Sequence, residues 1–387
     1  MKSPPNILIY SPSVSGGVAE HTFYQANALT QAGVKVICLI APSFLEKRCG
    51  KFECVSCLAD PPVDNGKRWS KRLRIAWYIF TNQCVLAWQI CKHKPDLVLL
   101  DSYVEYLSPL WIWSHWFLAC WFGVRYAANL HDPVRSYRIG PPWWHAFSVR
   151  LAYRPLDFVL VHDKLPDPSP VPDWVQVVEV PVGVYDIRGS AADPQAMRQE
   201  WGVKSGQKVF LAFGYVRDSK NLDLAVRALA EVPGTFLVVA GSVASTNDKP
   251  YTFYRQLAEQ LGVADRCRFY EGFVSDEKLG ELFAATDFVL LTYASTFHSQ
   301  SGVLNIAARA RKPVLASASP SPLIESVQKF SLGEAIPPDS LPAVVEGMRR
   351  LLGEPSAPRW ADYEAASSWT INAQEILRQI NIPSSPA

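Results

Sequence analysis

Arg217 and Lys220 stand three residues apart in Phe213-Gly-Tyr-Val-Arg-Asp-Ser-Lys-Asn-Leu-Asp-Leu224. Two cations at that spacing suit a diphosphate, with Arg presenting a planar fork and Lys a compact point charge. Downstream, Gln300-Ser-Gly-Val303 opens a helical pattern. The first backbone N–H groups of a helix have no partner within it and favour an anion. Towards the amino terminus, Gly16-Gly17 precede His21, and His131 follows an apolar run ending at Leu130. Together these residue types point to recognition of a phosphorylated ligand by fixed positive charge. Taken singly, each has a plainer reading: solvated surface cations, glycines serving a tight turn, a satisfied histidine at a strand's edge. Their places in the chain decide between the two.

Those places are set by alternating apolar strands and amphipathic helices. Lys208–Gly214 reads as a buried parallel strand, and apolar residues at 222, 225, 226 and 229 follow the helical i, i+3, i+4, i+7 spacing. Arg217 and Lys220 therefore sit in a strand-to-helix loop at a strand's carboxyl end, where open α/β sheets hold ligands. Residues 6–12, a loop over 13–21, a helix from Thr22 to Gln31 and a strand over 34–40 make a βαβ unit of the same kind. Strands are predicted at 96–101, 125–130, 156–161 and 175–180, and again at 208–213, 236–240, 267–270, 288–291 and 313–317. Residues 44–68, 132–155 (with Arg135, Arg138 and Trp143-Trp-His145) and 181–190 read as loops or linker. The fold class is α/β with two Rossmann-like domains, residues 1–182 and 183–359, followed by a tail helix from Trp360 to Ile380 that returns toward the first.

Bulk properties narrow the function. The 387 residues are 49% hydrophobic and 19% charged, with a net charge of +2, which excludes a dedicated nucleic-acid binder. Eight cysteines in this length are no disulfide scaffold. Cys38, Cys84, Cys91 and Cys120 read as small buried hydrophobes of a reduced, cytoplasmic protein. Cys49, Cys54 and Cys57 include a C-x2-C, but without a nearby histidine or a second such pair the stretch reads as a loop rather than a zinc site. Met1 leads almost directly into the first predicted strand, so no signal peptide is expected. Charge and aromatics are uneven: 18 Lys and Arg stand against 14 Asp and Glu up to residue 180, and ten of the 13 Trp lie there. Lys67–Arg74 carries five cations in eight residues ahead of an aromatic helix over 75–92. The stretch 106–124 holds no formal charge over 19 residues. Lying between two strands of one sheet, it fits a crossover helix better than a membrane span. Its tryptophans cannot all face the sheet, so its outer side is a candidate for contact with an anionic membrane or an apolar acceptor.

Four pieces resemble the retaining family 4 of GT-B glycosyltransferases: Gly16-Gly17 with His21; His131-Asp-Pro133; Phe213-Gly-Tyr-Val-Arg217 with Lys220; and Gln300-Ser-Gly-Val303 running to Lys312-Pro-Val314. The linker Val180-Pro-Val-Gly-Val-Tyr-Asp186 is similar to the family's inter-domain crossing. The resemblance implies two Rossmann-like domains facing across a cleft, and transfer of a sugar from a UDP- or GDP-sugar to a glycan or lipid-linked acceptor. It implies that Arg217 and Lys220 hold the donor diphosphate and stabilise the leaving nucleotide. Ser301, Gly302 and Val303 would add backbone donors beside Gln300, Gly16 and Gly17 would let the first-domain loop approach, and His131 would touch the sugar or its phosphate. The leaving phosphate would accept the acceptor's proton, so fixed positive charge would carry most of the rate. No cofactor and no metal are implied, in keeping with the absence of Asp-x-Asp. The chain departs from the family at the two Glu positions ahead of Lys-Pro-Val, which are His298 and Ile306 here. Asn305 is the substitute on offer for ribose recognition. Two other functions remain open: a catalytically silent GT-B module that binds a sugar nucleotide or protein, and a sugar-nucleotide epimerase, which would need carboxylates for proton work.

Overall fold

The computed structural model describes residues 4–44, 50–62, 68–103, 105–131, 140–162, 165, 169–186, 193–353 and 357–381. Lys67, Asp132, Pro133, Arg135, Arg138 and Cys49 lie outside them. The chain divides into two units: Met1–Gly183 with Ser368–Ala387, and Val184–Ser367.

Unit 1 is built on a parallel sheet of β1 (Asn6–Ser11), β2 (Lys35–Ile40), β3 (Glu53–Ser56), β4 (Leu97–Leu100), β5 (Arg125–Leu130), β6 (Phe158–Val161) and β7 (Gln176–Glu179), in the order β3-β2-β1-β4-β5-β6-β7. Among the described residues of its first 183, the α-helices are α1 (Gly16–Gln31), α2 (Arg68–His93), α3 (Ile112–Phe122) and α4 (Pro142–Ala152). Central strands are apolar on both sides. Leu8 and Tyr10 enter one buried cluster, Ile7 and Ile9 the other, as the two-residue period of a strand covered on both faces requires.

Unit 2 repeats the plan. Its strands are β8 (Lys208–Phe213), β9 (Thr235–Gly241), β10 (Cys267–Glu271), β11 (Phe288–Leu291), β12 (Val314–Ser317) and β13 (Gly333–Ile336), ordered β10-β9-β8-β11-β12-β13. Its helices are α5 (Pro194–Trp201), α6 (Leu222–Glu231), α7 (Tyr251–Gln260), α8 (Asp276–Ala284), α9 (Gly302–Arg309), α10 (Pro322–Lys329), α11 (Leu341–Leu352) and α12 (Trp360–Ala366). Val209 and Leu211 pack into one core, Phe210 and Ala212 into the other. The last helix, α13 (Trp369–Asn381), belongs to unit 1.

In each sheet the strand order reverses direction once beside the first strand, between β1 and β4 and between β8 and β11. A doubly wound sheet leaves a crevice at that point, outside the strands' carboxyl ends.

Several expectations change. Helix α1 starts at Gly16 rather than Thr22, so His21 is a helical residue one turn in, not part of a loop. Residues 143–145 lie in α4 rather than a loop, with Pro142 in its first turn where a missing N–H costs nothing. Edge strands β3 and β13 are additional; β3 runs Glu53–Ser56 with only Val55 inside a core margin, and so lacks the apolar run that marks a central strand. Cys38 is buried, but Cys84, Cys91 and Cys120 are exposed, because their helices turn apolar residues outward as well as inward. The tail is two helices rather than one. Ser367, at φ −98° and ψ 64°, ends α12, Ser368 caps the next turn through Thr370 N (3.2 Å), and the two helices go to different units. Among the described residues no helix is long and apolar enough to cross a membrane.

Candidate active site

In unit 2 the loop after β8 turns sharply at Gly214, whose φ of +92° favours glycine. Its amide donates to Ala240 O at 3.0 Å, and Val216 is bridged to Val243, so the first residues of the loop remain fixed to the sheet. Asp218–Lys220 then form one 3-10 turn, closed by Asn221 at φ 51°. The turn throws the Lys220 side chain back over the strand's end, where Nζ donates to Phe213 O at 2.7 Å. Burial, and after it the Arg217 charge, lowers the Lys220 pKa from 10.5 to about 7. The Arg217 side chain is exposed, with its guanidinium 5.9 Å from the Tyr215 ring centroid.

The loop after β11 comes to the same place. Thr292 Oγ1 donates to Lys220 O at 3.0 Å, and Ala294 N to Ser219 O at 2.7 Å. Asp339 clamps both loops, accepting from Asn221 Nδ2 at 2.8 Å and from Ser295 N at 2.9 Å. Helix α9 follows with Ser301 as its N-cap residue, only 4% exposed. The Ser301 hydroxyl pairs with Tyr293 OH at 2.8 Å instead of capping the helix, which leaves the first-turn N–H groups of Gly302 and Val303 without an intrahelical partner. A Cβ placed on Gly214 would stand 3.1 Å from Lys220 Nζ and 3.7 Å from Val303 Cγ2. The lysine and the positive end of α9 therefore meet across one glycine. Gln300 precedes them, partly exposed.

Arg217, Lys220, Ser301, Gly302 and Val303 thus lie around the ends of β8 and β11. Asn305 is not with them. It is 4% exposed, and its Oδ1 accepts from Tyr363 OH inside the unit 2 core. His298 is exposed with Nδ1 3.0 Å from Pro320 O, and Ile306 packs against the core.

In unit 1, Gly16 takes φ +79° at the start of α1, and a Cβ on Gly17 would meet nothing within 4 Å, so the loop keeps open space there. The hub is Asp101, fully buried just past β4. Its Oδ1 lies 3.0 Å from His21 Nδ1, 2.9 Å from Asn129 Nδ2 and 3.3 Å from His131 Nε2; Thr22 donates to Oδ2. Burial alone would raise this carboxyl's pKa, but the hydrogen bonds from His131 and His21 outweigh it and hold the group well below the usual carboxylate range. Burial pushes His21 down, and pushes His162 down further. The network runs on through Gln25, which bonds Asn129 and Asn372 of α13 (2.8 and 3.0 Å). Asp101, His162 and Asn372 were not singled out in the sequence. The signal for the first two was position: each directly follows an apolar strand at its carboxyl end.

Residues 193–375 match the family described as Glycosyl transferases group 1. Among curated proteins, the chain is 28% identical over 190 residues to the D-inositol 3-phosphate glycosyltransferase of Mycobacteroides abscessus, covering 48% of this chain and 42% of that protein. It is 31% identical over 128 residues to the Mycobacterium marinum protein of the same name, covering 33% and 26%. The matched part thus spans less than half the length of these relatives. Solved structures cover nearly the whole chain. A glycosyltransferase from Rickettsia africae ESF-5 superposes with a TM-score of 0.72 at 15% identity, over 98% of this chain and 97% of that one. Anabaena Alr3699/HepE in complex with UDP and glucose gives 0.69 at 18%, over 97% and 98%. At such identities the likeness is one of fold. The segment 193–375 belongs to the Glycosyl transferases group 1 family, and the chain has the GT-B fold of the glycosyltransferases.

Proposed function

We propose that the chain is a glycosyltransferase that takes a sugar from a nucleotide-sugar donor, a UDP-sugar before a GDP-sugar, and passes it with retention to a glycan or lipid-linked acceptor in polysaccharide or glycoconjugate synthesis. The observation that carries this reading is the convergence of Lys220 Nζ and the amino end of α9 across Gly214. In this reading the donor diphosphate lies over Gly214. Arg217 reaches it from the exposed side, Lys220 from beneath, and the N–H groups of Gly302 and Val303 from the helix end. Charge that builds on the leaving phosphate meets fixed cations and dipoles that need not reorganise, so transfer needs no metal there. The leaving phosphate takes the acceptor's proton.

The preference for UDP draws on proteins of similar fold, including the Anabaena protein in complex with UDP and glucose and an Escherichia coli protein bound with UDP-2-fluoro glucose. A lipid-linked acceptor would place the reaction at an anionic membrane surface. The exposed Trp113, Trp116 and Trp121 on α3, and Trp77 and Trp88 on α2, support that placement.

The test is release of UDP or GDP by the purified full chain, offered a panel of nucleotide sugars with glycan and lipid-linked acceptors. Turnover with one donor, lost when Arg217 and Lys220 are both changed to Ala, is the expected result. Unchanged turnover in that double variant would overturn the site. Nucleotide binding by calorimetry without turnover on any acceptor would favour a silent sugar-nucleotide-binding module, which His298 and Ile306 at the two usual Glu positions make the second reading.

A further inference from the structure

Three imidazoles converge in unit 1 from three separate strand ends: His21 in α1 after β1, His131 after β5 and His162 after β6. Their ring centroids lie 4.7 Å (21–131), 4.9 Å (21–162) and 5.4 Å (131–162) apart. Each ring offers one nitrogen, and these nitrogens all lie within 4.8 Å of one another. Two of the rings are fixed from behind. His21 turns Nδ1 to the Asp101 carboxylate at 3.0 Å, and His162 turns Nδ1 to Val180 O at 3.3 Å. Both of those partners only accept, so each Nδ1 carries the proton and each Nε2 carries a lone pair. Both Nε2 atoms are buried without a hydrogen-bond partner among the described residues. A buried acceptor left unpaired is costly, and two of them meeting beside a third imidazole call for an electrophile.

We propose that His21, His131 and His162 form a binding site for one divalent transition-metal ion of the zinc class, with a fourth position left to water or another oxygen ligand. Imidazole nitrogen without sulfur suits zinc, copper or nickel rather than magnesium or calcium. Three protein ligands with one open position is the arrangement of reactive rather than closed structural zinc sites. Ring centroids around one tetrahedral ion stand about 5 Å apart at nitrogen–zinc bonds of about 2.0–2.1 Å, which the observed spacings match. The nitrogens would be about 3.3 Å apart on such an ion, so the rings must draw in by at most about 1.5 Å from their present 4.8 Å limit. Asp101 behind His21 and Val180 O behind His162 are the kind of outer partners that fix a ligating histidine's tautomer and direction. His131, whose side chain is 23% exposed, leaves the site open to solvent for entry. The site shares His131 with the transferase reading but none of the cations that meet the diphosphate, which are in unit 2, and its test reads metal binding rather than transfer.

The experiment titrates chelator-stripped full-length protein with Co²⁺, read by its visible ligand-field bands, and with Zn²⁺, read by calorimetry. Expected are one equivalent of tightly bound ion, bands of a four-coordinate nitrogen and oxygen site, and no thiolate charge-transfer band. His162→Phe should weaken binding by about 100-fold, since even outer partners of metal ligands reach losses of that order. His21→Phe should do the same, and His131→Phe, at the more open ring, keeps the test available if those variants do not fold. Absence of stoichiometric binding, or affinity unchanged in a folded His162→Phe or His131→Phe protein, would overturn the site. So would charge-transfer bands abolished by Cys54→Ser with Cys57→Ser, because the ion would then sit on the cysteines.

Discussion

Lys220 folds its ammonium back onto the carbonyl oxygen of Phe213, 2.7 Å away, so the loop between β8 and α6 is closed by the very cation proposed to meet the donor. Held there under burial and beside Arg217, the lysine has a pKa lowered from 10.5 to about 7. In the free protein its charge is thus partly lost near neutral pH. A diphosphate arriving at Nζ favours the charged form and raises that pKa again.

At pH 8, binding of UDP should therefore take up close to one proton. Calorimetry in buffers of differing ionisation enthalpy reads that uptake directly, and Lys220→Met should abolish it while weakening binding. Equal enthalpies in all buffers for the unaltered protein would show that Lys220 is already charged or lies away from the phosphate.

Gly214 separates backbone strain from site geometry. Gly214→Ala must hold a side chain at φ +92° and set its Cβ 3.1 Å from Lys220 Nζ. The conformation alone costs about 1–2 kcal/mol. Gly234→Ala provides the comparison, since it has φ +78° but nothing within 4 Å. Both variants should melt a few degrees lower. Only Gly214→Ala should also lose UDP affinity, by about tenfold or more, as Lys220 is pushed from its seat (tenfold being about 1.4 kcal/mol).

His115 makes unit 1 sensitive to acid. It is 1% exposed, with Nδ1 3.4 Å from Tyr126 OH, and burial lowers its pKa from 6.5 to about 4. The unfolded chain takes up a proton here below about pH 6.5 while the folded chain does not until about pH 4. Stability is then full above pH 6.5 and falls as pH drops through that window, by about 3 kcal/mol at most. Urea midpoints measured from pH 7.5 to pH 4.5 should decline. His115→Phe should flatten the decline, and an identical slope in that variant would assign the acid sensitivity elsewhere.

The outward aromatic face should bind anionic vesicles. Trp113, Trp116 and Trp121 are 56%, 46% and 71% exposed, and Trp77 is 68% exposed. Arg72 and Arg74, at the start of α2, are exposed as well. Each cation near an anionic surface contributes about 1 kcal/mol. Arg72→Gln with Arg74→Gln should therefore cut partitioning onto phosphatidylglycerol vesicles by about 30-fold, and Trp116→Ser with Trp121→Ser should cut it at any salt concentration. Failure of the unaltered protein to sediment with such vesicles would remove membrane contact from the proposal.

Much of this was legible in the sequence for a simple reason. Central strands of a parallel sheet are apolar on both faces, so β1, β4, β5, β8 and β11 announce themselves as continuous runs, and the loops after them are where ligands bind. The edge strands β3 and β13 lack that run, with mixed exposure along Glu53–Ser56 and Gly333–Ile336. The helices begun by Gly16 and by Pro142 were hidden because glycine and proline suggest a break, whereas each serves here as a helix start.

Sequence by itself determined the two doubly wound units, the strand-to-helix loop with Arg217 and Lys220, and the helix start at Ser301, because each depends on periodicity or on neighbours a few residues apart. Only the tertiary structure decided which distant residues share a partner. It buried Asn305 against Tyr363, made Asp101 the acceptor for His21 and His131 across 80 and 30 residues of chain, and brought His162 to the same point. Those pairings depend on which strand ends lie side by side, and strand order is fixed by the packing of helices on both faces of a sheet rather than by any local pattern of residues.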